Sequence, residues 1–316
     1  MSKTFLEALT PAAYRAVKTT VRDGMPRIVA VDSSWYMPNV GKNGKNEFLN
    51  KERIKGSVFF DLDDICSKDS PYPHMLPTYE TFNSSIGRLG IEKTDKLVVY
   101  DSQGIFSSPR VAWTLSLFGH PHVYLLNNYL AYKQCEYPVQ TIPVNDITPY
   151  SPTQYVPISK DEFQQNYNKQ VIEYEELLDL VKSGNLSNEY LVFDARSNDR
   201  FTGAAPEPRP GLSSGHIPGS FNLPFPKVLG ENKAYKSKQE LLELFKSEFN
   251  LDLSNPNFLD GRKGIIVLCG TGVTAVILKL AIELIIGANV PVRVYDGSWS
   301  EWAARAPEEY IAKTAS

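Results

Sequence analysis

The amino-acid sequence predicts an α/β protein of two tandem domains, each a mostly parallel sheet with helices on both faces. Three observations support this: the length of 316 residues, the alternation of short apolar strands with helical segments, and a pattern that occurs twice. A chain of this length holds about two domains. Strands that alternate with helices favour parallel sheets covered on both faces.

Four strand-like segments of the first half have counterparts in the second half, in the same order. The matched segments and their offsets are 27–32 with 190–194 (162), 53–58 with 216–221 (163), 96–101 with 264–269 (168) and 123–127 with 292–296 (169). Collinear matches with slowly growing offsets indicate one duplicated domain. The helix after the third strand is predicted at 109–118 in the first copy. In the second copy it is predicted at 273–286, where it ends before Gly287 and is apolar enough to be deeply buried.

A proline-rich stretch separates the copies. Its prolines between Tyr137 and Pro157 are Pro138, Pro143, Pro149, Pro152 and Pro157. We expect this linker to be extended and laid across the surface. The predicted boundaries are therefore 1–137 for the N-terminal domain, 138–165 for the linker and 166–316 for the C-terminal domain.

Composition limits the classes of function. A formal net charge of −3 gives no indication of direct nucleic-acid binding or a membrane surface. The cysteines Cys66, Cys135 and Cys269 are far apart and lack metal spacing, so we expect a reducing compartment, no metal and no cofactor. The basic residues of the N-terminus are compatible with a weak mitochondrial presequence, but a first helix beginning near Thr10-Pro11 is favoured. A cytoplasmic protein is expected, with the mitochondrion as the second location.

The turn after the third strand of the second copy is the candidate site. A buried strand, Gly264–Leu268, leads into Cys269, a Gly-Thr-Gly turn and a helix. Backbone N–H groups of the turn and the positive end of the helix dipole would meet an anion there. Such surroundings lower a cysteine pKa. Cys269 is therefore a candidate nucleophile.

Three other interpretations of this turn were weighed. A buried cysteine at a strand end is often only a small hydrophobic residue. The spacing Gly270-x-Gly272-x-x-Ala275, with Asp296 after the next strand, fits a dinucleotide fingerprint. That fingerprint normally opens a domain, whereas only one further strand follows here. A cysteine phosphatase would need arginine where Ala275 stands, so phosphoryl chemistry is disfavoured.

The segment Cys-Gly-Thr-Gly-Val-Thr-Ala at 269–275 resembles the active-site loop of the rhodanese superfamily, in the form typical of 3-mercaptopyruvate sulfurtransferases. The resemblance implies two rhodanese-like domains, the first catalytically inactive because Asp101 stands at the position of Cys269. Thiosulfate-preferring relatives carry basic residues directly after the cysteine. Gly270 and Thr271 stand there instead, which favours a singly charged organic sulfur donor. The backbone of the substrate-binding residues would stabilise a persulfide; these are Gly270, Gly272, Val273 and Thr274.

The resemblance also assigns roles outside the loop. Arg200 and Arg209, the latter in Pro-Glu-Pro-Arg, would bind the substrate carboxylate, since arginine suits a bidentate carboxylate contact. The alternative is that such arginines tie their loop to surface acids such as Glu207. Arg196 is expected to be structural. His74 and Asp63 would form a proton relay with Thr271 for the leaving enolate. Many family members have serine where Thr271 stands. His216 and the tryptophans after Asp296 are expected to be structural.

The function predicted from these residues is transfer of sulfane sulfur from 3-mercaptopyruvate, through a Cys269 persulfide, to a thiol acceptor such as thioredoxin, with release of pyruvate. Two alternatives use the same thiol: a thiosulfate sulfurtransferase, and a relay that feeds tRNA thiolation with a cysteine desulfurase or a sulfur-carrier protein as partner. A non-catalytic interaction module would require an unreactive Cys269.

Overall fold

The computed structural model describes residues 5–20 and 24–314. It divides into two compact units. The first runs up to Asp69 and continues through Leu76–Asn166 and Glu231–Ala234. The second consists of Ser70–Met75, Tyr167–Gly230 and the chain from Tyr235 onward. The segment 70–75 therefore clusters with the second unit although it precedes most of the first in sequence.

The first unit is built on short parallel strands. Its strands are β1 (Phe5–Leu9), β2 (Ile28–Asp32), β3 (Arg53–Ile54), β4 (Val58–Phe59), β5 (Lys96–Tyr100), β6 (His122–Leu126) and β7 (Val139–Gln140). Its helices are α1 (Pro11–Thr20), α2 (Gly44–Asn50), α3 (Tyr79–Arg88), α4 (Ser108–Leu117), α5 (Tyr129–Gln134) and the start of α6 (Lys160–Gln170), with a 3₁₀ turn at Pro38–Val40.

The second unit follows the same plan. Its strands are β8 (Val171–Ile172), β9 (Tyr190–Asp194), β10 (Phe221–Asn222), β11 (Gly264–Leu268) and β12 (Val292–Tyr295). Its helices are α7 (Tyr174–Lys182), α8 (Leu186–Glu189), α9 (Asn198–Thr202), α10 (Lys238–Phe249), α11 (Ala275–Leu280) and α12 (Ser298–Arg305). Helix α11 continues as a π-helical segment, Ala281–Ile286, and 3₁₀ turns lie at Phe225–Val228 and Glu308–Tyr310.

The two sheets have the same topology. The first has the strand order β1-β6-β5-β2-β4 and the second, from its matching end, β8-β12-β11-β9-β10, with parallel neighbours throughout. The strands β2, β4, β5 and β6 correspond to β9, β10, β11 and β12 at the four offsets found in the sequence. The predicted fold class is confirmed. The edge strand β1 was not predicted.

Helices cover both faces of the second sheet. On one face, strand residues pack against α7 and α12 in a single core cluster that includes Val192, Ile266, Leu268, Leu177, Trp299 and Trp302. On the other face, Phe193 meets Phe245 and Phe249 of α10 edge to face, with ring centroids 5.6 and 5.1 Å apart. Because successive strand side chains point to opposite faces, one strand contributes to both cores.

The helix after the candidate nucleophile ends where the sequence predicts. Gly287 adopts the left-handed conformation (φ 73°) that closes many helices. Lys279 is 1% exposed, and its ammonium donates to Glu283 Oε1 (2.7 Å) and Val292 O (2.6 Å). Burial lowers the pKa of Lys279.

Helix α1 begins at Pro11, whereas the basic residues Lys3 and Arg22 lie outside the described residues.

The proline-rich stretch lies against the first unit. Val139 and Gln140 of β7 pair antiparallel with β3. Further along, Thr153 N donates to Gly87 O (2.9 Å) and Tyr150 Oη donates to Gly56 O (2.9 Å). These bonds hold the stretch in place although it has little regular structure.

Phe193→Ala is expected to lower the free energy of unfolding of the second unit by about 3–5 kcal/mol, the range for deleting a buried aromatic ring. Phe193 is completely buried on the α10 face of the sheet. Urea denaturation would measure the loss. Phe221→Ala is the matched control because that neighbouring ring is 43% exposed. Equal losses in the two variants would contradict this account of the core.

Candidate active site

Cys269 lies directly after β11, and its side chain is buried, with 2% of the residue exposed. The start of α12 fixes its backbone. Cys269 N donates to Ser298 Oγ (3.1 Å), and Trp299 N donates to Cys269 O (2.9 Å). Ser300 binds the next carbonyl, Gly270 O, through both its N (3.0 Å) and its Oγ (2.7 Å). The thiol is thus held on a rigid support.

The loop after Cys269 presents backbone donors. In the described part of the chain, the N–H groups of Gly270, Thr271, Val273 and Thr274 have no hydrogen-bond partner. Gly272 has φ 75°, a conformation that favours glycine, and this turns the loop into α11. Unpaired N–H groups at the start of a helix form a cradle for an anion. The cradle begins at the residue directly after Cys269.

In the corresponding loop of the first unit, the side chain of Asp101 accepts the hydrogen bonds of the loop. Asp101, completely buried, accepts hydrogen bonds at Oδ2 from Phe106 N (3.0 Å), Ser108 N (2.9 Å) and Ser108 Oγ (2.6 Å). Its Oδ1 accepts from Gln103 N at 3.0 Å. Burial raises the pKa of Asp101, and these hydrogen bonds oppose that rise. The first cradle therefore encloses a carboxylate in place of a thiol.

His74 reaches Thr271. Its Nδ1 shares a hydrogen bond of 3.0 Å with Thr271 Oγ1, and both residues are buried. His74 also has a positive φ of 64°, which costs energy in a residue other than glycine. Such strain is commonly kept at functional positions. The structure thus brings together two of the three predicted relay residues, both in the second unit.

Asp63, the third predicted relay residue, belongs to the first unit. Its Oδ1 and Oδ2 accept from the Trp35 indole Nε1 at 3.0 and 3.2 Å. The backbone carbonyl of Asp63 accepts from Cys66 Sγ (3.2 Å). Its part in a relay stays a prediction.

The three arginines of the 196–209 segment have different surroundings. Arg196 is 2% exposed, binds both carboxylate oxygens of Asp194, donates to Gly215 O (2.7 Å) and lies over the ring of Trp299 at 4.1 Å. It is structural, as expected. Arg200 forms an ion pair with Glu207, as expected for an arginine that ties its loop to an acid. Arg209 is half-buried.

Arg200 nevertheless lies beside the loop that follows Cys269, here called the active loop (residues 270–274). A Cβ placed on Gly270 would be only 3.1 Å from Arg200 Nη2. Glycine at this position therefore leaves room for the guanidinium directly after Cys269. The pairing with Glu207 and the position beside the loop are compatible, because a guanidinium carries five N–H donors.

Sequence reasoning missed Ser298 and Ser300. The sequence analysis of the segment after Asp296 concerned its tryptophans, Trp299 and Trp302, and not the serines on either side of Trp299. Ser298 has a positive φ of 51° and accepts from the backbone of Cys269. A run of Gly-Ser-Trp-Ser just after a strand was the available signal.

His216 is structural, as expected, with Nδ1 bound to Phe201 O (2.9 Å) and its ring stacked on Phe201.

Within residues 5–20 and 24–314, no group of three or more His, Cys, Asp or Glu side chains is arranged to hold a metal ion. No helix in the same ranges is long and apolar enough to cross a bilayer.

Comparison with known proteins adds a family match. The model of the rhodanese-like domain matches residues 173–305. Thiosulfate sulfurtransferase TUM1 of Saccharomyces cerevisiae is 45% identical over 312 residues, covering 97% of this chain and 98% of the relative. Human 3-mercaptopyruvate sulfurtransferase is 37% identical over 296 residues, covering 92% and 90%.

Solved structures agree. The crystal structure of Tum1 from Saccharomyces cerevisiae superimposes with a TM-score of 0.88 at 41% identity, covering 98% of this chain and 99% of that chain. A sub-stoichiometric sulfur transferase subunit of yeast mitochondrial complex I, solved by cryo-EM, gives 0.79 at 37% identity, covering 98% and 100%.

Proposed function

Since this chain belongs to the rhodanese family and is a sulfurtransferase, we propose that its sulfur donor is 3-mercaptopyruvate and its sulfur carrier is Cys269. The observation that supports this most is the loop directly after Cys269, in which four N–H groups have no hydrogen-bond partner among the described residues and Arg200 lies beside Gly270. Donors of this kind stabilise a sulfur anion without a fixed charge in the loop.

The proposed reaction has two steps. The Cys269 thiolate attacks the donor sulfur, an S–S bond forms and the C–S bond of mercaptopyruvate breaks. The leaving enolate takes a proton and becomes pyruvate. The persulfide then passes its outer sulfur to an acceptor thiol, which restores the Cys269 thiolate. No redox partner is required, because the acceptor receives the sulfur as a persulfide.

The residues around Cys269 have separate roles in this proposal. Arg200 and Arg209 bind the donor carboxylate, and the N–H groups of residues 270–274 hold the persulfide. Thr271 and His74 pass the proton to the enolate carbon, which the 3.0 Å hydrogen bond between them supports. Asp63 is the third residue of the predicted relay. The N-terminal domain is catalytically inactive, since a carboxylate such as Asp101 cannot carry sulfur.

Donor choice is the point at which two functions diverge. The yeast relative is named a thiosulfate sulfurtransferase, whereas the human relative is named for 3-mercaptopyruvate. Glycine after Cys269 favours the second donor, because a basic side chain at position 270 would meet Arg200. Two like charges at that distance would repel.

Intact mass after incubation with each donor, without reductant, tests the proposal. We expect the protein to gain one sulfur from 3-mercaptopyruvate and to be loaded more slowly by thiosulfate, because thiosulfate carries one charge more. Release of pyruvate should match the sulfur gained. Loading by thiosulfate alone would contradict the proposed donor and establish the alternative. Loading by neither would leave a relay charged by a protein donor.

The acceptor is proposed to be a protein thiol such as thioredoxin. The similarity to the sub-stoichiometric sulfur transferase subunit of yeast mitochondrial complex I supports a protein as partner. A cysteine desulfurase or a sulfur-carrier protein for tRNA thiolation is the second candidate, in the cytoplasm or the mitochondrion. Turnover with purified thioredoxin that greatly exceeds turnover with dithiothreitol at equal thiol concentration would support the first acceptor. Equal rates would contradict a dedicated thioredoxin acceptor.

A further inference from the structure

Glu207 lies between two guanidinium groups. Its side chain is 3% exposed. Oε1 accepts from Arg196 Nη1 (2.8 Å) and from Arg200 Nε (3.0 Å), while Oε2 accepts from Arg200 Nη2 (2.5 Å). The contact with Arg200 is the bidentate form that fixes both distance and orientation. One buried carboxylate therefore sets the direction of the arginine beside the active loop.

The anchor of Glu207 is rigid. Arg196, on its far side, is bound by Asp194 and Gly215 O and stacked on Trp299. The fully buried carboxylate of Asp194 forms an ion pair with Arg196 and neutralises its charge. A chain of contacts thus runs from the end of β9 through Arg196 and Glu207 to Arg200. Arg200 is held at a fixed place beside Gly270 although its own side chain is 20% exposed.

This chain of groups carries no net charge. Two guanidinium groups, on Arg196 and Arg200, face two carboxylates, on Asp194 and Glu207. Arg200 still has unused donors, because Glu207 takes one hydrogen of Nε and one of Nη2, and three N–H groups remain. Arg200 can therefore orient an anionic ligand through hydrogen bonds. The negative charge of Glu207 cancels most of the attraction between the Arg200 charge and that ligand.

We infer that Glu207 is a positioning residue that sets donor specificity, because it aims Arg200 at the donor carboxylate and makes the site disfavour a second negative charge. This inference rests on the proposed function. At Arg200, a monoanionic organic donor meets three N–H donors and little net charge from the Arg200–Glu207 pair, beside the charge of Arg209. A dianionic inorganic donor such as thiosulfate carries an additional charge toward a buried carboxylate, which repels it.

Two substitutions separate charge from position. Glu207→Gln keeps the length of the side chain and one carbonyl acceptor but removes the charge. Its kcat/KM for thiosulfate relative to that for 3-mercaptopyruvate is expected to rise about tenfold, which corresponds to about 1.4 kcal/mol. Glu207→Asp keeps the charge but shortens the reach to Arg200. That variant should raise KM for both donors and leave the ratio unchanged. Glu175→Gln, at an exposed acid paired with Arg305, is the control for a change of net charge.

A binding measurement keeps this test independent of turnover. In Cys269→Ser protein, calorimetry would compare pyruvate, a monoanion, with inorganic sulfate, a dianion. Adding Glu207→Gln is expected to shift the affinity ratio about tenfold toward sulfate. An unchanged ratio in a variant with wild-type melting temperature would overturn the inference. Failure of wild-type protein to gain sulfur from either donor would instead count against the proposed function, and the affinity ratio would still decide the role of Glu207.

Discussion

Cys269→Ser is expected to abolish sulfur gain from any donor and to lower kcat/KM by on the order of 10⁶-fold, the scale seen when an enzyme loses its nucleophile. A hydroxyl can neither form the persulfide nor accept sulfur at the cradle. Intact mass without reductant measures the gain directly, and pyruvate release measures turnover. Although Cys269 is buried, serine has nearly the same size and its hydroxyl is an acceptor for backbone N–H groups of the loop, so we expect the melting temperature to stay nearly unaltered.

Cys66→Ser and Cys135→Ser are the matched controls. Cys66 is buried beside the Asp63 carbonyl, and Cys135 is exposed at the end of α5. Both variants should gain one sulfur at the wild-type rate. Sulfur found on either residue in Cys269→Ser protein would contradict the assignment. Iodoacetamide labelling at neutral pH gives a second readout, because an inert buried thiol, as in a non-catalytic module, would stay unmodified.

Thr271→Val is expected to lower kcat for 3-mercaptopyruvate by about 10²–10⁴-fold, the usual contribution of a positioned acid–base group. Valine has nearly the shape of threonine but lacks the hydroxyl that bonds His74 Nδ1 at 3.0 Å. The enolate would then leave without a proton donor at hand. Because the carboxylate contacts are elsewhere, KM should change little. Steady-state kinetics with kcat and KM resolved separately would check this.

Thr271→Ser is the control for the hydroxyl. It keeps the oxygen, loses only the methyl group and matches the residue that many family members carry, so kcat should stay near that of the wild type. Wild-type kcat values in both the serine and the valine variants would remove the Thr271 hydroxyl from the mechanism. Loss of activity in the serine variant alone would point to packing of the methyl group, which valine retains, as the important property.

The sequence was sufficient for those features that depend on local order. Strand β11, the turn after Cys269 and the helix end at Gly287 follow from apolar runs and glycine placement within about 25 residues. The duplication predicted the common strand order because four offsets agree. β1, at five residues, was missed because the edge strand is partly exposed and has no counterpart of equal length in β8.

Features that depend on distant segments were harder to foresee. Sequence spacing gave no reason for segment 70–75 to join the second unit, where His74 meets Thr271; only the family resemblance suggested it. The Arg200 contact with Glu207 was considered but treated as a surface contact, whereas the Glu207 carboxylate is almost fully buried. Burial depends on how the loop packs, and composition does not reveal that.

The side chain of Asp101 gives the two copies different thermodynamic behaviour. In the first unit, the Asp101 carboxylate already accepts the hydrogen bonds of its loop, so an anion from solution cannot bind there and stabilise the unit. In the second unit, the N–H groups after Cys269 have no partner among the described residues, so an anion from solution can bind them. A ligand at 100 times its dissociation constant adds about 2.7 kcal/mol to the stability of the state that binds it. An anion bound by these N–H groups would therefore stabilise the second unit and leave the first unit unchanged, so that the melting temperature of the second unit would report how much of the second cradle is occupied.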